Sequence, residues 1–300
     1  MTGSQIFLPK RTPGLVFHSV ITILVLGGAS FLLFLAFQQS GGINLILFLT
    51  GALILLASLP FLVYRGYALF HAGYTLERDG LRIRWGLRLL DIPLSEVEWV
   101  RPAEDLQIPV KLPVFSWPGA ILGESEHEDL GVVEFIASAS DNLVIVAAMD
   151  RVVILSPEAR EDFILKFNRT LEMGTLAPIQ PLSAKPAVFL QSIFKNKAAR
   201  ITIPLGFILW FLLLILVSLL IPGHDQLSMG YDAAGYPIET VPASRLLMLP
   251  VIGIFLYAIS LIGGAYFFRK TENKPVSQLL WAGGVMTPIL LLAAALIFLV

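Results

Sequence analysis

The sequence predicts a membrane protein: an α-helical transmembrane bundle of five helices, grouped as two and then three, with an inserted mainly-β module. Of its 300 residues, 56% are hydrophobic and only 14% are charged, whereas soluble domains carry roughly 25% charged residues. Five apolar runs are each long enough to cross a bilayer as a helix. Most of the charged residues lie between the second run and the third, which places one water-compatible module there.

The first two apolar runs predict a helical hairpin near the N-terminus. Residues 15–37 and 43–64 contain no Asp, Glu, Lys or Arg, and the polar link between them has two glycines that suit a turn. His18 lies in the first of these runs. An imidazole at that depth is a candidate proton or ligand site, but Ser19 and Thr22 offer hydrogen bonds nearby and favour a packing role.

Three further spans are predicted at residues 201–221, 246–268 and 277–300. A longer polar loop, 222–245, separates the first from the second. The segment RKTENKP separates the second from the third, and its proline marks a break between helices. Paired glycines in the spans permit close helix approach, which we expect within this one bundle.

The change in composition predicts three domains. These are the two-helix hairpin at residues 1–65, the module at 66–182, and a linker with three transmembrane helices at 183–300. Residues 65–200 hold 15 Lys and Arg against 18 Asp and Glu, so this stretch is net acidic. The chain as a whole has a net charge of -1, and we expect no nucleic-acid partner.

The basic residues predict the orientation of the chain in a plasma or inner membrane. Cytoplasmic loops carry an excess of Lys and Arg. If the N-terminus is cytoplasmic, the opposite loops, 38–42 and 222–245, contain one basic residue, Arg245. We therefore expect a multi-pass protein with its N-terminus and module in the cytoplasm and its C-terminus outside.

Alternating apolar and polar residues predict that the module is mainly β. In LRIRW, Leu81, Ile83 and Trp85 face one way, and the two arginines face the other. Asp79-Gly80 and Met149-Asp150 predict tight turns between strands, the first through positive φ. The predicted strands are residues 74–77, 81–85, 87–92, 94–100, 131–137, 142–148 and 151–155.

Residues 101–130 interrupt these strands and are predicted to form a long irregular loop. The module then ends in an amphipathic helix, with Ser156 as its N-cap, Pro157 in its first position and Gly174 just past its end.

The order of about seven short strands and one helix resembles the pleckstrin-homology (PH) fold, an antiparallel barrel closed at one end by a C-terminal helix. The segments YTLERDGLRIRWGLRLLDIPLSEVEWV and GVVEFIASASDNLVIVAAMDRVVILSPEAREDF are similar to bacterial PH-like domains of membrane proteins. SWPGAILG at 116–123 is similar to a Trp-Pro-Gly loop in some of these domains. The resemblance covers about a third of the chain and implies a fold and a membrane setting, but no reaction.

Four arginines around the first strands are candidate lipid or anion contacts: Arg78, Arg82, Arg84 and Arg88. Basic residues near the first hairpin contact phosphate head groups in the lipid-binding PH domains that the module resembles, and anionic lipids attract such clusters. The alternative is the solvated face of a strand. The acidic residues Glu77 and Asp79 lie beside these arginines and favour that alternative.

Phe115 and Trp117 are candidate contacts with the membrane interface or with a partner. They lie in LPVFSWPGAILG, an apolar run without charges in the long loop. The alternative is that they cover the open end of the barrel. The acidic residues that follow at 124–129, with His127 among them, match no metal-binding spacing and are expected to form a solvated loop, so no metal site is assigned.

No catalytic or nucleotide-binding sequence motif is present, and the chain has no cysteine. We therefore expect no enzymatic activity, no catalytic residues and no cofactor. The sequence favours a membrane protein that presents its PH-like module as an interaction or scaffold unit. A small transporter or channel subunit regulated by the module is the alternative, followed by a membrane enzyme. The expected partners are membrane lipids and another membrane or cytoplasmic protein.

Overall fold

A computed structural model describes residues 4–39, 41–114, 116–174, 179–224, 226–228 and 240–297. Five of its helices are long and apolar enough to cross a membrane, which confirms the prediction of five such segments. The helices are α1 (Thr12–Phe37), α2 (Ile43–Phe70), α3 (Arg160–Met173), α4 (Pro186–Lys195), α5 (Lys197–Leu220), α6 (Met248–Phe268) and α7 (Lys274–Ile297).

The chain divides into two compact units, and the division falls within the hairpin helices. The first unit contains residues 1–26 and 56–186, and the second contains residues 27–55 and 187–300. The first unit thus combines the N-terminal part of α1 and the C-terminal part of α2 with the whole β-rich module.

Twelve strands are present in the described part of the chain. They are β1 (Gln5–Phe7), β2 (Gly73–Glu77), β3 (Gly80–Trp85), β4 (Arg88–Pro93), β5 (Val97–Pro102), β6 (Ile121–His127), β7 (Gly131–Ala137), β8 (Val144–Ala148), β9 (Arg151–Leu155), β10 (Leu182–Ala184), β11 (Gln226–Ser228) and β12 (Thr240–Pro242). The first ten belong to the first unit.

The first sheet of the module has the order β1-β2-β3-β4-β10. Its edge strand β1 precedes the hairpin in the chain, and β2 follows it. The two strands pair antiparallel, with Ile6 opposite Thr75. The hairpin α1–α2 is therefore an insertion between two neighbouring strands of one sheet, a relationship that the sequence analysis did not predict.

The second sheet has the order β5-β8-β9-β7-β6, with a parallel pair between β7 and β9. The prediction of a single barrel is wrong, because the two sheets do not close on each other. Strands β1 and β10 are the edge strands of the first sheet, and among the described residues no strand of the second sheet pairs with either.

Residues 101–130 are not irregular throughout, as the sequence analysis predicted. Strand β6 lies in this range and pairs antiparallel with β7, with Glu124 opposite Glu134. Its acidic residues face outward while Ile121 and His127 are buried. Only these two end residues are buried, and the strand is held by its pairing with β7 along its whole length.

The C-terminal helix of the module begins at Arg160, not at Ser156. The Ser156 hydroxyl accepts a hydrogen bond from the Ser138 N–H at 2.7 Å and lies 3.1 Å from the Ser138 hydroxyl, so it is directed to β7 and not to the helix. Gly174 ends the helix with a φ of 69°, as predicted. Phe163 and Phe167 on α3 are fully buried in the module core.

The predicted turns are present, although the first has a different geometry. Arg78 and Asp79 form the two-residue turn between β2 and β3, and neither has a positive φ. Gly80 is needed for space, since a Cβ there would lie 2.6 Å from the carbonyl oxygen of Ile92. Met149-Asp150 joins β8 to β9 as predicted.

The core of the first unit joins module and helix. It contains Tyr74, Trp85, Phe163 and Phe167 together with Ala68 and Leu69 of α2. Helix α2 continues to Phe70, beyond the predicted end at residue 64, because Ala68 and Leu69 of its last turn are buried in this core. Arg65 therefore lies inside a helix.

The second unit packs its helices at glycines. A Cβ on Gly206 of α5 would lie 2.8 Å from the carbonyl oxygen of Gly284 of α7, so the two helices meet closely there. The Trp210 indole donates to the Pro250 carbonyl at 2.7 Å, and the Tyr257 hydroxyl donates to the Ile203 carbonyl at 2.9 Å. Strands β11 and β12 pair with each other.

Candidate functional site

The loop before β6 forms a tight turn around Trp117. The Ala120 N–H donates to the Trp117 carbonyl at 2.9 Å, and Gly119 has a φ of 79°. The Gly119 N–H donates to the Ser138 carbonyl at 2.9 Å, which anchors the turn to the end of β7. The sequence Trp-Pro-Gly folds this way because only glycine adopts this φ without strain.

Trp117 packs on the hairpin of its own chain. Its ring lies edge-on to Phe17 of α1 at 6.0 Å and to Phe61 of α2 at 6.5 Å, measured between centroids. The Arg65 guanidinium lies 5.2 Å from the Trp117 ring centroid and 4.6 Å from that of Phe61. We call these four residues the Trp117 cluster.

Helices α1 and α2 also contact the module through groups other than the Trp117 cluster. A Cβ on Gly119 would lie 2.5 Å from the Cα of Gly14, so the first turn of α1 contacts the loop backbone directly. On α2, the Tyr64 hydroxyl accepts a hydrogen bond from the Leu87 N–H at 3.0 Å. The module thus contacts α1 through backbone and is hydrogen-bonded to α2.

The structure does not place Trp117 in the core of the module. Its side chain is half-buried against the hairpin, and contact with lipid or another protein stays a prediction. Phe115 lies outside the described residues.

A cavity of about 360 Å³ lies beside Trp117. The first turn of α1, the Trp117 loop and the β7–β8 connection line it. At its edge the Lys10 ammonium and the Asp141 carboxylate are 3.1 Å apart, and both side chains are about half exposed. The cavity edge therefore carries one positive and one negative side chain, which balance in charge.

Intramolecular contacts involve all four candidate arginines. Arg82 pairs with Glu77 at 3.2 Å, Arg84 with Asp91 at 2.5 Å, and Arg88 with Glu134 at 2.8 Å. The fourth, Arg78, donates from Nε to the Gly174 carbonyl at 3.3 Å. Their role as lipid or anion contacts stays a prediction, and an anion would have to compete with these carboxylates.

Arg88 belongs to a larger ion-pair network that sequence reasoning missed. Its guanidinium bonds both oxygens of Glu134 and also donates to the Ala184 carbonyl of β10. Lys185, next to β10, pairs with Glu124 and lies 3.6 Å from Glu134. The hydrogen bond and charge of Lys185 hold the pKa of Glu124 below its usual range. This network fixes the linker strand to the module.

The acidic residues near His127 form no metal site in the described part of the chain. His127 is buried, its Nε2 lies 2.9 Å from the Ile108 carbonyl, and its Nδ1 accepts from the Asp129 N–H at 3.2 Å. The ring is thus a neutral imidazole that donates from Nε2 and positions the loop before β6.

His18 and Arg65 are two polar residues of the hairpin whose surroundings the sequence did not reveal. His18 is 2% exposed, and neither of its ring nitrogens has a hydrogen-bond partner among the described residues. The Thr22 hydroxyl donates to the backbone carbonyl of His18, not to its ring. Ser19 and Thr22 therefore do not satisfy the imidazole, contrary to the packing argument from sequence.

Comparison with known proteins agrees with the predicted resemblance for one third of the chain. Residues 72–171 match the family described as bacterial PH domain. The range begins just before β2 and ends within α3, so β1, β10 and the hairpin lie outside the matched segment. No curated protein and no solved structure matches the chain.

Proposed function

We propose that this protein is a non-enzymatic membrane protein that presents its bacterial PH domain as a scaffold for another protein at the cytoplasmic face of the membrane. The insertion of the hairpin between β1 and β2 carries this proposal. Because the chain leaves the first sheet to form the hairpin and returns to the same sheet, the domain cannot move away from the ends of α1 and α2. A scaffold requires such a fixed position.

Contacts of the Trp117 cluster strengthen this attachment. They add aromatic and cation–π interactions between the loop and both helices. A flexibly linked recruitment domain would need none of them. Each of these contacts helps to keep the domain, and with it a bound partner, at a fixed distance from the bilayer.

The surface proposed for the partner is the part of the loop that precedes Trp117. Val114 is 93% exposed and Leu112 is also exposed, while the neighbouring Pro113 is buried. The backbone of this loop is held at both ends, by the Ile108–His127 contact and by the Trp117 turn. Exposed apolar side chains on a held loop suit a protein partner because little order is lost on binding.

The proposed orientation of the protein in the membrane follows from the positive-inside rule. Basic residues flank one end of each span, and a cytoplasmic N-terminus places all but one of them on the cytoplasmic side. The residues on the cytoplasmic side are then Lys10, Arg11, Arg65, Lys195, Lys197, Arg200, Arg269, Lys270 and Lys274, and the exception is Arg245. A reporter fused after Val300 should then be active only outside the cytoplasm.

Site-specific photo-crosslinking in living cells tests the scaffold function. A photoreactive amino acid at Val114 should give a discrete adduct with one protein. The same amino acid at Leu87, an exposed position on the β3–β4 turn, serves as the control and should not give this adduct. Unmodified monomer from both positions, with the protein folded and in the membrane, would contradict the proposal.

A further inference from the structure

Arg65 has no carboxylate partner among the described residues, although its side chain is partly enclosed. Its Nη1 is buried without a hydrogen-bond partner. The described part of the chain supplies a carboxylate to Arg82, Arg84, Arg88, Arg151 and Arg160, but none to Arg65.

His18 lies on the facing helix and is also without partners. A Cβ on Gly66, the residue after Arg65, would lie 3.6 Å from the His18 Cβ. The His18 ring is 5.6 Å from Phe17, which itself contacts Trp117. His18 therefore adjoins the Trp117 cluster.

Two such groups are costly in an apolar helix pair. A buried donor without an acceptor loses the hydrogen bonds it made to water, and a charged group loses more. Ionisable residues within transmembrane segments are rare and mark functional contacts. The Arg65 guanidinium, which has no carboxylate partner among the described residues, calls for an anionic acceptor.

The position of Arg65 identifies the acceptor that this environment supplies. It lies five residues before the end of α2 at Phe70, which corresponds to about 7 Å along the helix axis. Tyr64 and Tyr67 flank it, and such aromatic residues mark the level of the lipid head groups. The guanidinium carbon of Arg65 lies 4.6 Å from the Phe61 ring centroid and 5.2 Å from that of Trp117. A guanidinium held by such cation–π contacts can still donate in its plane to a phosphate.

We propose that Arg65 binds the phosphate of a phospholipid head group beside Trp117. Arg65 supplies the charge, and the N–H groups of its guanidinium other than the enclosed Nη1 donate the hydrogen bonds. Trp117 fixes the guanidinium from the side of the PH domain. This site lies on the hairpin and is separate from the strand arginines, so a bound lipid holds the domain and the helices together.

Native mass spectrometry of the full chain in dodecyl maltoside tests this site. The probes are dioleoyl phosphatidylglycerol, dioleoylglycerol, which has the same acyl chains but no phosphate, and inorganic phosphate. We expect the phospholipid to bind about tenfold or more tightly than dioleoylglycerol. Competition by inorganic phosphate would show that the phosphate alone suffices, and its absence would show that the lipid is the source.

Variants assign the binding to its residues. Arg65→Gln should lose this preference, and Arg65→Lys should keep part of it because the charge remains without the planar donor pair. Arg169→Gln is the matched control, since Arg169 is exposed on α3 and is not among the candidate lipid or anion contacts. Equal binding of both lipids by the wild-type chain would overturn the proposal even if a variant fails to fold. Wild-type affinity in folded Arg65→Gln would also overturn it.

Discussion

Gly14 and Gly119 meet backbone to backbone, where the first turn of α1 contacts the loop that carries Trp117. A methyl group on Gly119 would lie 2.5 Å from the Cα of Gly14, a distance that real Cβ atoms do not show. The contact joins a helix of the hairpin to the β-rich module without any side chain between them, so it tolerates no added atom.

Gly119→Ala should therefore destabilise the protein through two effects. Its φ of 79° costs an alanine about 1–2 kcal/mol, and the clash with Gly14 adds about 1–3 kcal/mol. Thermal unfolding in detergent measures the sum. Gly131→Ala is the matched control, because Gly131 has a φ of 69° and open space around it, and it should show the first effect alone. Equal losses in the two variants would show that the close approach contributes nothing.

Trp117→Ala should loosen the PH domain from the hairpin without unfolding either. The lost ring contacts are worth about 1–3 kcal/mol, less than for a fully buried tryptophan. Hydrogen exchange should rise in residues 116–121 and in the first turns of α1, and should stay unchanged in β8 and β9. Trp99→Ala removes a half-buried tryptophan of the second sheet and should leave exchange in α1 unchanged. If Trp117→Ala gives no rise in α1 either, the cluster does not hold the domain.

Glu134→Gln should cost about 3 kcal/mol, because it leaves the buried Arg88 guanidinium without its counter-ion. Asp141→Asn removes the exposed partner of Lys10 and should cost less than about 1 kcal/mol. Chemical unfolding of the two variants measures the difference. If Glu134→Gln is as mild as Asp141→Asn, Arg88 is not as enclosed as the structure indicates.

Acidification should release the linker strand β10. Lys185 lowers the pKa of Glu124 in the folded protein, so the pair stabilises the strand above the ordinary carboxyl range. This contribution is lost as the pH falls from about 4 through the lowered pKa. Hydrogen exchange at Leu182–Ala184, corrected for intrinsic rates, should rise in this range. Glu124→Gln should already show the faster exchange at neutral pH, and a profile identical to wild type would refute this assignment.

Local patterns in the sequence predicted most individual elements, whereas the contacts between distant segments could not be predicted. The five apolar segments, the Met149-Asp150 turn and the Gly174 helix end depend on nearby residues. Strand β1 was missed because three residues before a basic pair resemble a membrane-flanking segment. Strand β6 was missed because its outward carboxylates give the composition of a loop. Ser156 was assigned to a cap because its partner, Ser138, is distant in sequence.

The candidate site shows the same division. Trp117 was predicted as a contact residue from its apolar loop, but its neighbours Phe17 and Phe61 lie 100 and 56 residues away in sequence. Arg65 was counted only as a charge that marks the cytoplasmic side. Its enclosure depends on the continuation of α2 into the core of the domain, which hydropathy alone does not reveal.

The return of the chain to one sheet on both sides of the hairpin is the central claim, and a disulfide test measures it directly. The chain contains no cysteine, so any intramolecular disulfide must join the two cysteines that are introduced. Ile6 and Thr75 are opposite each other in β1 and β2, where Cα atoms are about 4.5–5.5 Å apart, within disulfide range. Ile6→Cys with Thr75→Cys should form an intramolecular bond in isolated membranes under mild oxidation. Thr75→Cys with Arg82→Cys joins the neighbouring pair of strands and is the positive control, whereas Ile6→Cys with Arg82→Cys is two strands apart and should stay reduced. A bond in the positive control, but none between positions 6 and 75, would contradict the account.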